Sequence, residues 1–303
     1  MEASGYKFHN DEGQEQDCFQ ILKDHGINTI RLRTFVNPSN DPRSGHCSKD
    51  ETVLMAQRAQ KWGMQVLLDF HYSDSWADPS KQKKPAAWEG HGFTRLLKDV
   101  YQYTFDVMSA LKSNGISPAW VQLGNETPGG MIYPEGSVKT WDSLAQLINK
   151  GYDAVKAVSP SSKVILHLDQ GNNNQRFRTW FDHATTHGAK YDIIGLSYYP
   201  YWLNGSPDYT LSIDDLEKNM NDMVNRYGKE VMVVEVGGED VKPENTYLML
   251  KAVIKKVIAV SQGKGLGVVY WEPQGAKSWS NYALSAWGDN GRPTKALDAF
   301  LLD

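Results

Sequence analysis

Two glutamates stand where a glutamate is costly. Glu126 closes the run WVQLGNE at residues 120–126, and Glu235 interrupts VMVVEVG at residues 231–237. Both follow apolar residues on segments suited to full burial, and a buried carboxylate is unfavourable unless it is paired. One such residue alone could be half of a structural ion pair. Two of them facing one substrate bond are what the hydrolysis of a glycosidic bond requires. Other residues able to do chemistry recur at the same kind of place. Arg33 ends NTIRLR, His71 follows LLDF, Asp169 ends KVILHLD, Tyr198 lies in GLSYY and Trp271 in VVYWEP.

The elements that must carry these residues are legible as period and punctuation. Seven short runs read as strands: 28–33, 65–72, 120–126, 163–169, 193–200, 231–237 and 265–273. They are nearly continuous in apolar residues rather than alternating, as expected of parallel strands covered on both faces. Amphipathic patterns of helical period lie between most of them, several stopped by a glycine such as Gly63 or Gly115. Strand and helix in alternation predict a parallel α/β fold. No glycine-rich phosphate turn follows an early strand, which disfavours a dinucleotide-binding sheet. A (β/α)8 barrel gathers the C-terminal ends of its strands at one mouth, so the barrel is the better reading. No Ser/Gly-rich linker divides the chain, and residues 1–303 read as one domain.

Composition narrows the function further. Lys plus Arg is 32 against 36 for Asp plus Glu, so there is no basic footprint for a nucleic acid. No apolar stretch reaches the roughly 18 residues that a membrane-spanning helix needs. The first residues, MEASG, do not form a signal peptide within this chain. Cys18 and Cys47 are the only cysteines, too few for a structural zinc site; they could be free thiols or one bridge. Ten Trp, 15 Tyr and 9 Phe suit either a large core or a surface that stacks on sugar faces.

The stretches NTIRLRTFVNP, LLDFHYSDSWADPSKQKKPAAW, WVQLGNETPGGM, GYDAVKAVSPSSKVILHLD, GLSYYPYW, VMVVEVGG and YWEP together resemble the arabinogalactan endo-β-1,4-galactanases of glycoside hydrolase family 53. They run in order over nearly the whole chain. The Asn-Glu pair by itself identifies only the wider clan of retaining (β/α)8 glycosidases. The resemblance implies that Glu126 is the general acid/base and Glu235 the nucleophile, with Asn125 on the 2-hydroxyl of the sugar. It implies a substrate-binding role for Arg33, His71 and Trp271, and for Tyr198 a hydrogen bond to the nucleophile, with Tyr199 the second candidate. Trp76, Asp78 and Trp88, on the loop after the second run, are candidates for further subsites, and His167 and Asp169 complete the candidate set. The implied partner is a galactan or arabinogalactan chain, and the implied location is secreted or cell-envelope. A mannanase or cellulase of the same clan, a non-catalytic carbohydrate-binding barrel, and a metal-dependent barrel using Glu126, Asp169, Glu235 and His71 are the competing readings.

The sequence departs from the family in two places. After the nucleophile strand, some members carry an Asp/Gly-rich calcium loop; here GGEDVKPENTYLML lacks the alternating oxygen ligands, so no cofactor or metal is expected. In the family the glutamates end strands four and seven, whereas here they fall on the third and sixth runs. Seven strands and an abnormal closure between the first and last are therefore expected, in a barrel without its first strand. The gap could be left open or filled by GYKFHN, residues 5–10, or by a segment of a partner. An open edge would allow self-association.

Overall fold

The structure is a computed structural model and describes residues 1–43, 46–203 and 208–301. Among these, seven parallel strands form one sheet in chain order: β1 (Thr29–Thr34), β2 (Gln65–Phe70), β3 (Trp120–Leu123), β4 (Lys163–Leu168), β5 (Ile193–Tyr198), β6 (Glu230–Val236) and β7 (Gly265–Tyr270). Six long connecting helices accompany them: α2 (Lys49–Lys61), α3 (Phe93–Ser113), α4 (Trp141–Val158), α5 (Asn174–Thr186), α6 (Ile213–Tyr227) and α7 (Pro243–Ile258). A shorter helix, α1 (Cys18–Asp24), precedes β1. Helix α2 starts at a capping box, in which Ser48 and Glu51 each accept from the other's backbone N–H. Helix α6 stops at Gly228, which takes the left-handed conformation that costs glycine nothing. The strand-to-helix alternation read from the sequence is thus the observed architecture, a TIM barrel that lacks one strand.

Each strand presents one row of side chains to the helices and one to the lumen. The outward rows, including Leu68, Val121, Leu166, Leu196 and Val233, join the main apolar core. The lower lumen is a second apolar layer of Leu67, Ile165, Ile193, Met232 and Val234. Above it the inward positions turn polar, with Arg31, Asp69, Gln122, His167, Ser197 and Glu235. Strand β3 stops earlier than the run 120–126 suggests. Gly124 and Glu126 both have positive φ, +78° and +44°, so the chain leaves the sheet just before the first catalytic candidate.

The barrel does not close. β1 pairs only with β2, and β7 pairs only with β6. A slot of about 560 Å³ separates them, lined along its length by β1 and β7. Its effect on packing is direct: β5 is buried at every position, while Gly265–Val269 of β7 all stay partly exposed. GYKFHN does not become a strand of the sheet. His9 forms one antiparallel bridge with Glu15, and Phe8 packs edge-on against Trp287. Met1, Glu2 and Phe8 form part of the slot wall. Cys18 and Cys47 also lie on that wall, both buried and both free, so the bridge is not formed.

Candidate active site

A groove of about 1020 Å³ lies at the C-terminal ends of the strands, and Glu126, Asp169, Ser197, Tyr199, Glu235 and Trp271 all line it. The two glutamates share this groove but have opposite surroundings. Glu235 is gripped by a cation and a hydroxyl: Arg31 Nη1 donates to its Oε1 at 2.9 Å and Tyr199 Oη to its Oε2 at 3.1 Å. Among the described residues no cation contacts Glu126; Ser197 Oγ donates to its Oε1 at 2.6 Å. Burial, then the charge of Glu235, pushes the Glu126 carboxyl up to about 8. Burial also raises Glu235, but Arg31 and the Tyr199 hydroxyl oppose that shift. The negative charge of the pair therefore rests on Glu235 and the proton on Glu126.

Arg31 is the hub that the sequence reading placed at Arg33. Besides Glu235, Nη2 of Arg31 reaches Asp69 Oδ2 at 2.9 Å and Asn125 Oδ1 at 2.8 Å. Its side chain is buried, and burial works against its charge, but the carboxylates of Asp69 and Glu235 hold it protonated. Removing it would strand two buried carboxylates, a loss of about 3–5 kcal/mol. Arg33 points the same way from β1, two residues nearer the mouth, and meets different groups. Its guanidinium lies 4.1 Å from the centre of the Trp76 ring and 3.8 Å from Glu272 Oε1. Both arginines are on the inward row, and the deeper of the two reaches the carboxylates.

The hydrogen bond to Glu235 is made by Tyr199, the second candidate, and not by Tyr198. Unbroken alternation along β5 puts Tyr198 outward with Ile194 and Leu196 and turns Ser197 inward with Ile193, while the extra residue of the β5–β6 register shift, Val234 in β6, brings Glu235 level with Ser197. Tyr198 is buried and bonds Ser212 Oγ at 2.8 Å and the Tyr209 carbonyl at 3.2 Å. Tyr199, the next inward residue, carries the hydrogen bond to Glu235.

Asn125 is fixed at both ends of its amide, accepting from Arg31 and donating to the Ala77 carbonyl at 2.8 Å. His71 is buried beneath the groove rather than on it. Its Nδ1 accepts from the Ala77 N–H at 2.9 Å, and its Nε2 faces Asp69 Oδ2 at 2.9 Å. Both ring nitrogens are therefore spent on protein, and Asp169 is held by Arg176 at 2.7 Å. Neither is arranged as a metal ligand, and among the described residues no group of three or more His, Cys, Asp or Glu could hold a metal. His167 is buried, with its Nε2 2.7 Å from Ser197 Oγ. Trp76 meets Trp271 edge-on at 5.7 Å, and Arg31 sits 5.1 Å from the Trp271 ring centre, so the two indoles form one aromatic corner. Asp78 lines the groove, but its Oδ1 is occupied by Ser80. Trp88 is not on the groove: it is buried against Tyr72 and Tyr103, a core residue of the loop.

The sequence reading passed over Arg31, Asp69, Gln122 and Ser197. Each is a polar residue inside an otherwise apolar strand, in IRLR, LLDF, VQL and GLSYY. That pattern is the available signal, because such a residue persists in a core only when it is hydrogen-bonded. Trp202, in GLSYYPYW, was also unassigned; it is 67% exposed and lines the groove.

Comparison with known proteins agrees with this geometry. Glycosyl hydrolase family 53 matches residues 1–300. The chain belongs to that family. It is 34% identical over 314 residues to a probable arabinogalactan endo-beta-1,4-galactanase A of Aspergillus fumigatus, covering 95% of this chain and 84% of the relative. It is 32% identical over 295 residues to the arabinogalactan endo-beta-1,4-galactanase of Humicola insolens, covering 90% of this chain and 85% of the relative. A solved fungal beta-1,4-galactanase superposes with a TM-score of 0.89 at 29% identity, over 99% of this chain and 95% of that one.

Proposed function

We propose that this family 53 hydrolase is an endo-β-1,4-galactanase that cleaves galactan and type I arabinogalactan with retention of configuration. The observation that carries the reading is the opposed setting of the two groove carboxyls, one held ionised by Arg31 and Tyr199 and the other held protonated by burial. In the first step, the Glu235 carboxylate attacks the anomeric carbon. The glycosidic C–O bond breaks, and the Glu126 proton passes to the leaving oxygen. In the second, the Glu126 carboxylate takes a proton from water, the water oxygen bonds the anomeric carbon, and the Glu235 ester bond breaks. Asn125, locked by Arg31 and the Ala77 carbonyl, is placed to meet the 2-hydroxyl. Trp271, braced edge-on by Trp76, offers an apolar face to the reacting galactose, and Trp202 offers one farther along the groove.

Reducing-sugar release from galactan, arabinogalactan, mannan and carboxymethylcellulose tests the substrate. Galactan should be the best of the four, and preference for mannan or cellulose would replace the reading with another activity of the clan. Proton NMR of the first product tests the stereochemistry, since release of the α-anomer would mean inversion. Glu235→Gln should lower kcat by at least 1000-fold while oligosaccharides still bind.

A polymeric substrate also supports action outside the cytoplasm, in secreted or envelope-bound form, which fractionation of the source cells checks. The unpaired edges of β1 and β7 support self-association through the open side of the barrel. Sedimentation over a hundredfold range of concentration tests this, and a monomer throughout would exclude it.

A further inference from the structure

We propose that Ser197, oriented by His167, is a positioning residue that decides which oxygen of Glu126 carries the catalytic proton. The inference rests on the reading of Glu126 as the acid/base and adds a residue to which neither the sequence nor the comparisons assign a role.

The tautomer of His167 follows from its partners. The backbone N–H of Glu126 points at Nδ1 at 3.3 Å, and the side-chain amide nitrogen of Gln122 approaches the same atom at 3.1 Å. Asn125 Oδ1 also lies 3.2 Å from Nδ1 but already accepts from Arg31, whereas a backbone N–H can only donate, so Nδ1 offers its lone pair and the ring hydrogen is on Nε2. Burial, reinforced by the charge of Arg31, keeps the ring neutral by holding it well below the ordinary histidine range. Nε2–H then donates to Ser197 Oγ at 2.7 Å. With its oxygen occupied as an acceptor from that side, Ser197 turns its own hydrogen to Glu126 Oε1 at 2.6 Å.

This relay runs in one direction, from the backbone N–H of Glu126 through an imidazole and a hydroxyl to one carboxyl oxygen. Its terminus accepts a hydrogen bond, so the acidic proton cannot sit on Oε1 without two hydrogens facing each other. The proton is therefore confined to Oε2, the oxygen of Glu126 that does not accept from Ser197, on a side chain that lines the groove. The relay also closes on itself, since the first donor is the backbone of the residue whose side chain is the last acceptor. Glu126 has φ +44°, an uncommon conformation for a residue with a side chain, and the His167 contact helps hold it there.

The hydroxyl has a second consequence. A hydrogen bond to the ionised form favours it, so Ser197 restrains the upward pressure on Glu126. The other groups that face Glu126 are Glu235 from β6 and Asp169 from the end of β4, which raise its proton affinity, and Arg31 from β1, which lowers it. Tyr199, just past the end of β5, is neutral and bonds Glu235 instead. Ser197 is thus the only residue among the described ones that contacts the acid/base carboxyl as a donor.

Ser197→Ala tests the proposal, with Ser197→Thr as the variant that keeps the hydroxyl. Titration of 13C-labelled glutamate carboxyls follows Glu126 directly and needs no turnover. Its midpoint should rise by at least half a pH unit in Ser197→Ala and return toward the native value in Ser197→Thr. Two-bond 1H–15N spectra should show His167 neutral and protonated on Nε2. On galactan, Ser197→Ala should lose about 10- to 100-fold in kcat with KM within twofold. An activated aryl galactobioside, whose leaving group needs no proton, should lose less than threefold in the bond-breaking step. An unmoved Glu126 midpoint, or equal losses on the two substrates, would overturn the proposal. If the native chain fails to cleave galactan while the midpoint still moves with Ser197, the functional reading fails and the control of the proton by Ser197 stands.

Discussion

At the scale of single residues, the site is a problem in placing one proton and one charge on two carboxyls. Glu126 binds a proton more tightly folded than unfolded, because burial and Glu235 raise it to about 8 from 4.5. Two consequences follow with definite sign. If Glu126 is the general acid as proposed, activity should fall on the alkaline side as pH rises through about 8 and it deprotonates, and kcat/KM against pH measures that limb. Stability carries the same signature. Between pH 4.5 and about 8 the native state holds a proton that the unfolded chain has released, so this residue's contribution declines as pH rises across that window. Glu126→Gln removes the dependence by imitating the protonated acid. The variant should be inactive on galactan yet melt about 2–6 °C higher near pH 8, with the gain fading toward pH 4.5. A melting gain independent of pH would show that the native carboxyl is not the source.

At the scale of elements, β5 shows what sequence could and could not tell. Its existence, length and burial are plain in IIGLSYYP, a run too apolar and too short for anything but a covered strand. Which tyrosine faces the site is not plain, because the strand is buried on both faces and its residues do not mark which of the two alternating rows is the lumen row. The same limit explains Arg31 and Arg33, which share one face of β1 and differ only in depth within the lumen. Alternation tells the face, and only the closed packing of six other strands tells the depth. Glu126 and Glu235 were legible because a carboxylate in an apolar strand is anomalous by itself, whatever its depth. Asp69 and Gln122 carried the same anomaly, but one layer lower, where they brace Arg31 rather than touch the groove. Trp88 misled for the opposite reason, since an indole on a loop looks alike from sequence whether it stacks on sugar or on Tyr72. The two tyrosines make the distinction testable. Tyr199→Phe removes a donor from Glu235 and should cut kcat about tenfold or more with little change in melting. Tyr198→Phe removes the bonds to Ser212 and Tyr209 and should cost about 1 kcal/mol of stability with activity nearly unchanged. The reverse pattern would restore Tyr198 to the site.

At the scale of the whole molecule, the open side of the barrel sits opposite in logic to the groove, since it is a feature that the catalytic geometry does without. Arg31 is on β1, an edge strand, yet its partners Asp69, Gln122, Asn125 and Glu235 hold it from the closed part of the sheet. The polar layer therefore ties β1 to β2, β3 and β6 without a strand between β1 and β7. What the slot costs is packing. Leu32, Leu266, Val268 and Val269 line it and remain partly exposed, and two rows of backbone groups have no ladder partner. A short strand seated there would gain backbone hydrogen bonds worth about 0.5–1.5 kcal/mol each. It would also bury apolar surface worth roughly 25 cal/mol per Å². Against this stands about 1–2 kcal/mol of backbone entropy for each residue ordered, so the balance is favourable only if the strand is tethered and its inward side chains fit. An extension joined to the N-terminus, carrying a Gly-Ala-Asp-type strand of about six residues, should raise the melting temperature by several degrees and protect the amides of β1 and β7 from hydrogen exchange. The same extension with proline at alternate positions keeps the length and composition close but cannot form the ladder, and it should do neither. If both extensions raise the melting temperature equally, or if the amides of β1 and β7 are already as protected as those of β4 and β5, the slot is closed in solution and the edges are not available.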